Sequence, residues 1–199
     1  MSPQSTRETL LARTITVIAN EGLDKTTTKA IVAGTGINEA YIYRSFSNKE
    51  DLLSKAFELL DEELVAKAIL HAPVMYINQM EYETRCMFYF SAMWDFLLGN
   101  REKCLAFVRY YYSPYFEKYS VEDHKMRYQP LAEIFSKAFR DDVDVWMILN
   151  YILSVMLNFA VKVHNGQMPN EEAYAEYLFR VIYASVKQYF KNEGACVVQ

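Results

Sequence analysis

The stretch that decides the fold is TTTKAIVAGTGINEAYIYRSFSNKEDLL, residues 26–53. Thr27 or Thr28 can cap a short helix, because a threonine side chain accepts a hydrogen bond from a free backbone N–H group. Gly34 and Gly36 are expected to end that helix, since glycine enters a left-handed backbone conformation at little cost. The spacing therefore predicts two short helices joined by a tight glycine turn.

The second of these helices is predicted to begin at Asn38. Ile42 and Phe46 lie four residues apart, so both point to the same side of the helix and are expected to be buried. Asn48, with Asp51 three residues later, begins a further long helix. This arrangement is typical of a helix-turn-helix, whose second helix enters the major groove of DNA. The side chains predicted on its outer side are Glu39, Ala40, Tyr41, Tyr43, Arg44 and Ser45.

Residues 10–53 resemble the N-terminal domain of the TetR family of bacterial transcriptional regulators. The resemblance rests on the glycine turn, on Tyr43 and Phe46 in the recognition helix, and on Lys49 at the start of the next helix. It implies a homodimer that binds a double-stranded, pseudo-palindromic DNA operator. It also implies that a small-molecule effector relieves repression by changing the spacing of the two recognition helices.

The rest of the chain shows helical periodicity and no strand-like alternation. Ser5 and Glu8 form a capping-box pattern for a first helix that ends at Gly22, and Pro73 ends the fourth helix. Further boundaries are predicted at Asn78 with Glu81, Gly99, Asn100, Pro114, Ser120 with Asp123, Gly166 and Pro169. We therefore predict an all-α protein of about nine helices. A three-helix DNA-binding domain at 1–53 precedes a larger effector-binding and dimerisation domain at 54–199.

The resemblance assigns two kinds of DNA contact. Hydroxyl groups, cationic side chains and helix N-termini hold the phosphate backbone. The residues matching these positions are Thr27, Thr28, Tyr43, Arg44 and Lys49, and the predicted DNA-binding set also includes Asn38. Glu39, Ala40 and Tyr41 lie where members of the family read bases, but they depart from the commonest family pattern. Glu39 either accepts a hydrogen bond from a cytosine amino group or only stabilises the helix dipole.

The charge of the N-terminal domain is balanced. Its six basic and six acidic residues cancel, within a chain whose net charge is -4. Electrostatic attraction to phosphates usually dominates non-specific DNA binding. We therefore expect the protein to depend on a few placed contacts and on dimerisation rather than on a basic surface.

An effector site is predicted among the aromatic-rich helices of 54–199. Most aromatic residues there are expected to be core, so polar residues among them are the better indicators, because burying a polar group without a partner is costly. The predicted ligand-binding residues are Trp94, Asp95, Tyr112, Phe116, Trp146, Asn150, Ser154 and Asn158. The effector is expected to be apolar or aromatic. Asp95 either pairs with a cationic ligand or is neutralised by Arg101 or Arg109.

Residues 145–161 carry no charge and approach the length of a transmembrane helix. Asn150, Ser154 and Asn158 recur every four residues and place a polar stripe along this helix, which argues against a membrane span. Two apolar seams on one helix indicate packing on its own domain and on a partner subunit. By resemblance the last two helices form a four-helix bundle in the dimer. The predicted interface residues are Leu149, Leu153, Met156, Ala160, Tyr174, Leu178, Val181 and Ser185.

No enzymatic motif is present in the sequence. His71, His124 and His164 stand far apart and are expected at the surface or at helix ends. Cys86, Cys104 and Cys196 are widely spaced and fit neither a disulfide framework nor a zinc site. We predict a cytoplasmic regulator without catalysis, cofactor or metal. Two alternatives remain: an activator of the same fold, and a helical ligand-binding protein whose DNA binding is weak or lost.

Overall fold

A computed structural model describes residues 3–191 of the protein, with side chains described from Ser5 onward. Within this range the chain forms ten α-helices and two short 3-10 helices, Ala72–Tyr76 and Lys187–Tyr189, and its one β contact is an isolated bridge between Phe139 and Phe190. The α-helices are α1 Pro3–Glu21, α2 Thr28–Val32, α3 Ala40–Ser45, α4 Lys49–His71, α5 Tyr82–Gly99, α6 Arg101–Tyr111, α7 Pro114–Tyr119, α8 Val121–Ser136, α9 Val145–His164 and α10 Glu172–Val186. The predicted all-α fold is confirmed.

Several predicted helix boundaries hold and two are wrong. Gly22 ends α1 with a backbone φ of +87°, a left-handed conformation that favours glycine. The capping box predicted at Ser5 and Glu8 is wrong, because α1 begins at Pro3 and contains both residues. α5 begins at Tyr82 rather than near Asn78. An additional helix arises at Pro114, where the Ser113 side chain accepts a hydrogen bond from the Phe116 N–H group and caps the separate helix α7.

The first of two compact units consists of residues 3–63 and 100–126. Its N-terminal core is a cluster of fully buried side chains from α1 to α4, including Leu10, Ile31, Ile42 and Leu52. Glu102 on α6 accepts hydrogen bonds from Thr16 (2.9 Å) and Asn20 (3.2 Å) on α1. Helix α6, which the sequence assigned to the C-terminal domain, is thus packed with the helix-turn-helix. The functional division at residue 53 stays a prediction.

A second core in this unit surrounds a buried polar pair. His124 Nδ1 on α8 lies 2.9 Å from Asp61 Oδ1 on α4, and both side chains are almost completely enclosed. Phe57 and Phe116 pack their rings around the histidine at centroid distances of 6.1 and 5.3 Å. The prediction that His124 lies at the surface or at a helix end is therefore wrong.

The second unit consists of residues 64–99 and 127–191. It contains the C-terminal part of α4, helix α5, most of α8, and helices α9 and α10. Arg85 is buried on α5, where its guanidinium donates to the carbonyl oxygens of Met80 (2.7 Å) and Met75 (3.2 Å). These bonds satisfy the buried charge and fix the segment before α5, which closes one end of an apolar interior.

Candidate DNA-binding surface and effector cavity

The turn between α2 and α3 has the predicted construction. The Thr27 side chain accepts a hydrogen bond from the Ala30 N–H group (3.1 Å) and caps α2. Gly34 and Gly36 have φ values of +74° and +72°, so both adopt the left-handed conformation that the sequence predicted. The Asn38 side chain accepts from the Ala40 N–H group (2.9 Å) at the start of α3. The chain therefore forms the helix-turn-helix from local signals.

Helix α3 is anchored by its inner side and continued by a capped α4. Ile42 is fully buried and Phe46 is 3% exposed, as predicted. The Asp51 N–H group donates to Asn48 Oδ1, and the Ser47 N–H group donates to Asp51 Oδ2, both at 2.8 Å. These reciprocal bonds satisfy two free N–H groups at the start of α4 and place Lys49 in its first turn.

The outer side of α3 presents two tyrosines and an arginine. Tyr41 is 44% exposed and Tyr43 is 61% exposed. The Arg44 guanidinium carbon lies 5.0 Å from the centre of the Tyr41 ring, a cation–π distance, so each side chain restrains the other on the exposed surface. Ala40 is also exposed, and Lys49 is half-buried. All these residues lie on one surface of α3 and the start of α4, available to DNA.

Glu39 is engaged within the protein. The Thr28 hydroxyl donates to Glu39 Oε2 at 2.8 Å, and both side chains are half-buried. This bond joins the start of α2 to the start of α3. It supports a positioning role for Glu39 and Thr28, a contribution that the sequence analysis did not consider.

We expect Glu39→Ala to lower the free energy of unfolding by about 1 kcal/mol, the usual contribution of such a hydrogen bond. Glu39→Gln keeps an acceptor oxygen and should change stability by less than half of that. Urea denaturation of both variants measures the difference. If Glu39 reads cytosine instead, both variants would lose preference at one operator base pair without a difference in stability.

An apolar cavity of about 120 Å³ lies within the second unit. Its walls come from α4, α5, α8, α9 and α10 and contain no charged side chain among the residues described. On α5 the lining residues follow one helical stripe, Cys86, Tyr89, Phe90, Met93 and Leu97. That stripe, at spacings of three and four residues, is the sequence signal that could have located the cavity.

The eight predicted ligand-binding residues do not line this cavity. Trp94 is buried beside it and stacks on Phe90 with ring centroids 5.9 Å apart, and Phe116 belongs to the aromatic core of the first unit. The polar stripe of α9 points outward, because the apolar side of that helix fills the interior. The others lie as follows: Asp95, Tyr112 and Asn158 exposed, Trp146 against Tyr128, and Asn150 with Ser154 in a shallow external groove.

The predicted interface residues divide between the interior and the surface. Leu149, Leu153 and Met156 line the cavity, and Ala160 and Leu178 are buried within the same unit, so these five are not accessible on this chain. Tyr174 and Val181 are 45% and 47% exposed. The half-buried Ser185 donates a hydrogen bond to the Tyr151 hydroxyl (3.1 Å) and links α10 to α9.

An exposed apolar strip runs along α9 and α10. Within the described residues, α9 is the one helix long and apolar enough to cross a membrane by length and composition, and 22% of its most apolar segment is buried. The strip consists of Met147, Tyr151, Tyr174, Tyr177 and Val181, each at least 41% exposed.

The described cysteines are neutral thiols. Burial raises the pKa of both Cys86 and Cys104 to about 12. Neither forms a disulfide, and no group of three or more potential metal-ligating side chains occurs between residues 3 and 191. Cys196 lies outside the described residues.

Known proteins share both the N-terminal motif and the whole fold. Residues 10–56 match the family described as bacterial regulatory proteins, tetR family. A tetR family transcription regulator from Shewanella sp. PV-4 superposes with a TM-score of 0.73 at 16% identity, covering 94% of this chain and 98% of that chain. For a TetR family transcription regulator from Marinobacter aquaeolei VT8 the TM-score is 0.71 at 14% identity, with 92% and 95% covered.

The fatty acid degradation regulator FadR from Bacillus halodurans is also similar, with a TM-score of 0.66 at 15% identity over 88% of this chain and 96% of that one. No curated protein matches the sequence. The fold and the exposed recognition helix define a helix-turn-helix regulator of transcription rather than an enzyme. The protein belongs to the TetR family of transcriptional regulators.

Proposed function

We propose that the protein is a cytoplasmic homodimeric repressor, released from a pseudo-palindromic operator by a small apolar effector. The observation that carries this proposal is the apolar cavity, whose wall includes Leu64 and Ala68 of α4. The same helix begins at Lys49, four residues after α3 ends. A ligand that displaces this wall can therefore shift a helix that starts at the recognition helix.

Release requires that the ligand bind one conformation better than the other. An effector that favours the conformation unable to bind DNA lowers operator affinity by its differential affinity, and DNA lowers effector affinity by the same factor. An effector that stabilised the DNA-bound conformation would make the same fold a ligand-dependent binder. The sign of regulation is thus measured by operator titration with and without ligand.

Dimerisation is supported by the apolar strip on α9 and α10. On α10, Tyr174, Tyr177 and Val181 follow spacings of three and four residues, and on α9 Met147 and Tyr151 lie one turn apart. Such spacing is typical of helices that pack at a small crossing angle in a four-helix bundle. We propose that the same strip of a second copy covers these side chains.

The proposed function is tested by selecting fragments of the source genome with purified protein at physiological salt, followed by footprinting. Enrichment of one short pseudo-palindrome supports the repressor proposal and provides the operator. A folded dimer that enriches no fragment, with or without added ligands, would contradict operator binding. The alternative would then be a helical ligand-binding protein of this fold.

We expect the double variant Tyr43→Phe and Arg44→Ala to bind that operator about 10- to 30-fold more weakly. The change removes one exposed hydroxyl and one cation that we assign to phosphate contacts, and its effect should shrink as salt is raised. Lys137→Ala, which removes an exposed cation from the second unit, is the matched control and should bind normally. Unchanged binding of the double variant, measured by fluorescence anisotropy, would refute the contact assignment.

A further inference from the structure

The walls of the cavity restrict the charge of its ligand. All the side chains that line it are aliphatic, aromatic, thioether or thiol groups, and none of them is ionised at neutral pH. Among these, Cys86 is held as a neutral thiol because burial raises its pKa to about 12. An ion moved into such surroundings loses its hydration and gains no counter-charge. The cavity is therefore unsuited to carboxylates and ammonium groups.

Tyr89 places a hydrogen-bonding group on the cavity wall. Its ring packs edge-on against Phe135, with centroids 5.1 Å apart and an interplanar angle of 67°. Its hydroxyl forms no hydrogen bond with any residue that the structure describes. Burial raises the pKa of this phenol, so the hydroxyl keeps its proton and remains a donor. An enclosed donor without an acceptor is unfavourable, and a ligand that supplies an acceptor removes that penalty.

We propose that the cavity binds an uncharged, largely apolar molecule with one hydrogen-bond acceptor, such as a carbonyl oxygen, which accepts from the Tyr89 hydroxyl. Its regulatory meaning rests on the proposed function, but the binding itself does not require DNA. The volume of about 120 Å³ is of the order of the apolar cavity of about 150 Å³ that holds benzene in another protein. A single aromatic ring with a short substituent is therefore a suitable probe.

The test is calorimetric titration of the full-length protein at pH 7, without DNA, with acetophenone, ethylbenzene, benzoate and benzylamine. These four probes share one ring and differ in the group attached to it. We expect acetophenone to bind about tenfold more tightly than ethylbenzene, the usual effect of one additional hydrogen bond. Benzoate and benzylamine should bind at least 100-fold more weakly than acetophenone. Equal or tighter binding of either ion, or binding of none of the four, would overturn the proposal.

Two variants assign the donor. Tyr89→Phe should abolish the preference for acetophenone while ethylbenzene binds as before, so retained ethylbenzene binding also shows that the cavity is intact. Tyr128→Phe, which removes another hydroxyl from the cavity wall, is the matched control and should keep the preference. Loss of the preference in Tyr128→Phe but not in Tyr89→Phe would refute the assignment. Because these titrations contain no DNA, their failure is distinguishable from failure of operator binding.

Discussion

Asp61→Ala is expected to lower the free energy of unfolding by about 3 kcal/mol, the lower end of the usual penalty for breaking a buried pair. The substitution leaves His124 enclosed by aromatic rings without the oxygen that lies 2.9 Å from its Nδ1 atom. It also removes a link between α4 and α8. Urea denaturation followed by circular dichroism measures the loss.

Asp123→Ala is the matched control for this variant. Asp123 is exposed on α8, one residue before His124, so removal of its carboxylate should change stability by less than about 0.5 kcal/mol. Asp61→Asn keeps a side-chain acceptor and should fall between the two variants. Equal stability of Asp61→Ala and Asp123→Ala would show that the buried pair contributes nothing to the fold.

The DNA-binding domain could be predicted from the sequence because its signals act over short distances. Thr27, Asn38 and Asn48 each accept a hydrogen bond from a backbone N–H group two or three residues later. Gly34 and Gly36 require only their own backbone conformation. None of these features depends on how distant segments pack, so reading the sequence located the helices and the outer side of α3.

The cavity could not be located in the same way. Helix α9 is apolar on most sides, and its sequence does not determine which side faces inward. The polar stripe of Asn150, Ser154 and Asn158 indicated a ligand site only if it was buried, and packing of Leu149 and Leu153 against the second unit turned it outward. The same choice moved five predicted interface residues into the interior.

Long-range pairing was beyond prediction for a similar reason. Asp61 and His124 are separated by 63 positions, and each looks like an ordinary surface residue in its own helix. The bond between Thr28 and Glu39 spans only 11 positions, yet it depends on the angle between α2 and α3. Helical periodicity identifies a buried side, but it does not identify the residue that lies opposite.

Val181→Asp should convert the proposed dimer to monomers and reduce operator affinity at least 100-fold, the largest effect expected of any single substitution here. Val181 lies in the exposed apolar strip, 47% exposed on α10 between Tyr177 and Ser185. In an isologous interface each substitution occurs twice, so two carboxylates would be desolvated together. Sedimentation velocity and operator titration at matched protein concentrations measure the two effects.

The comparison that gives this prediction its force is Leu70→Asp. Leu70 is 68% exposed at the end of α4 and lies outside the α9–α10 strip, so this variant introduces the same charge at another exposed apolar position. It should remain dimeric and bind the operator normally. If Val181→Asp stayed dimeric at micromolar concentration, or if Leu70→Asp became monomeric instead, the α9–α10 strip would not be the dimer interface. A folded monomer that failed to bind the operator would show that DNA binding by this charge-balanced domain depends on two recognition helices acting together.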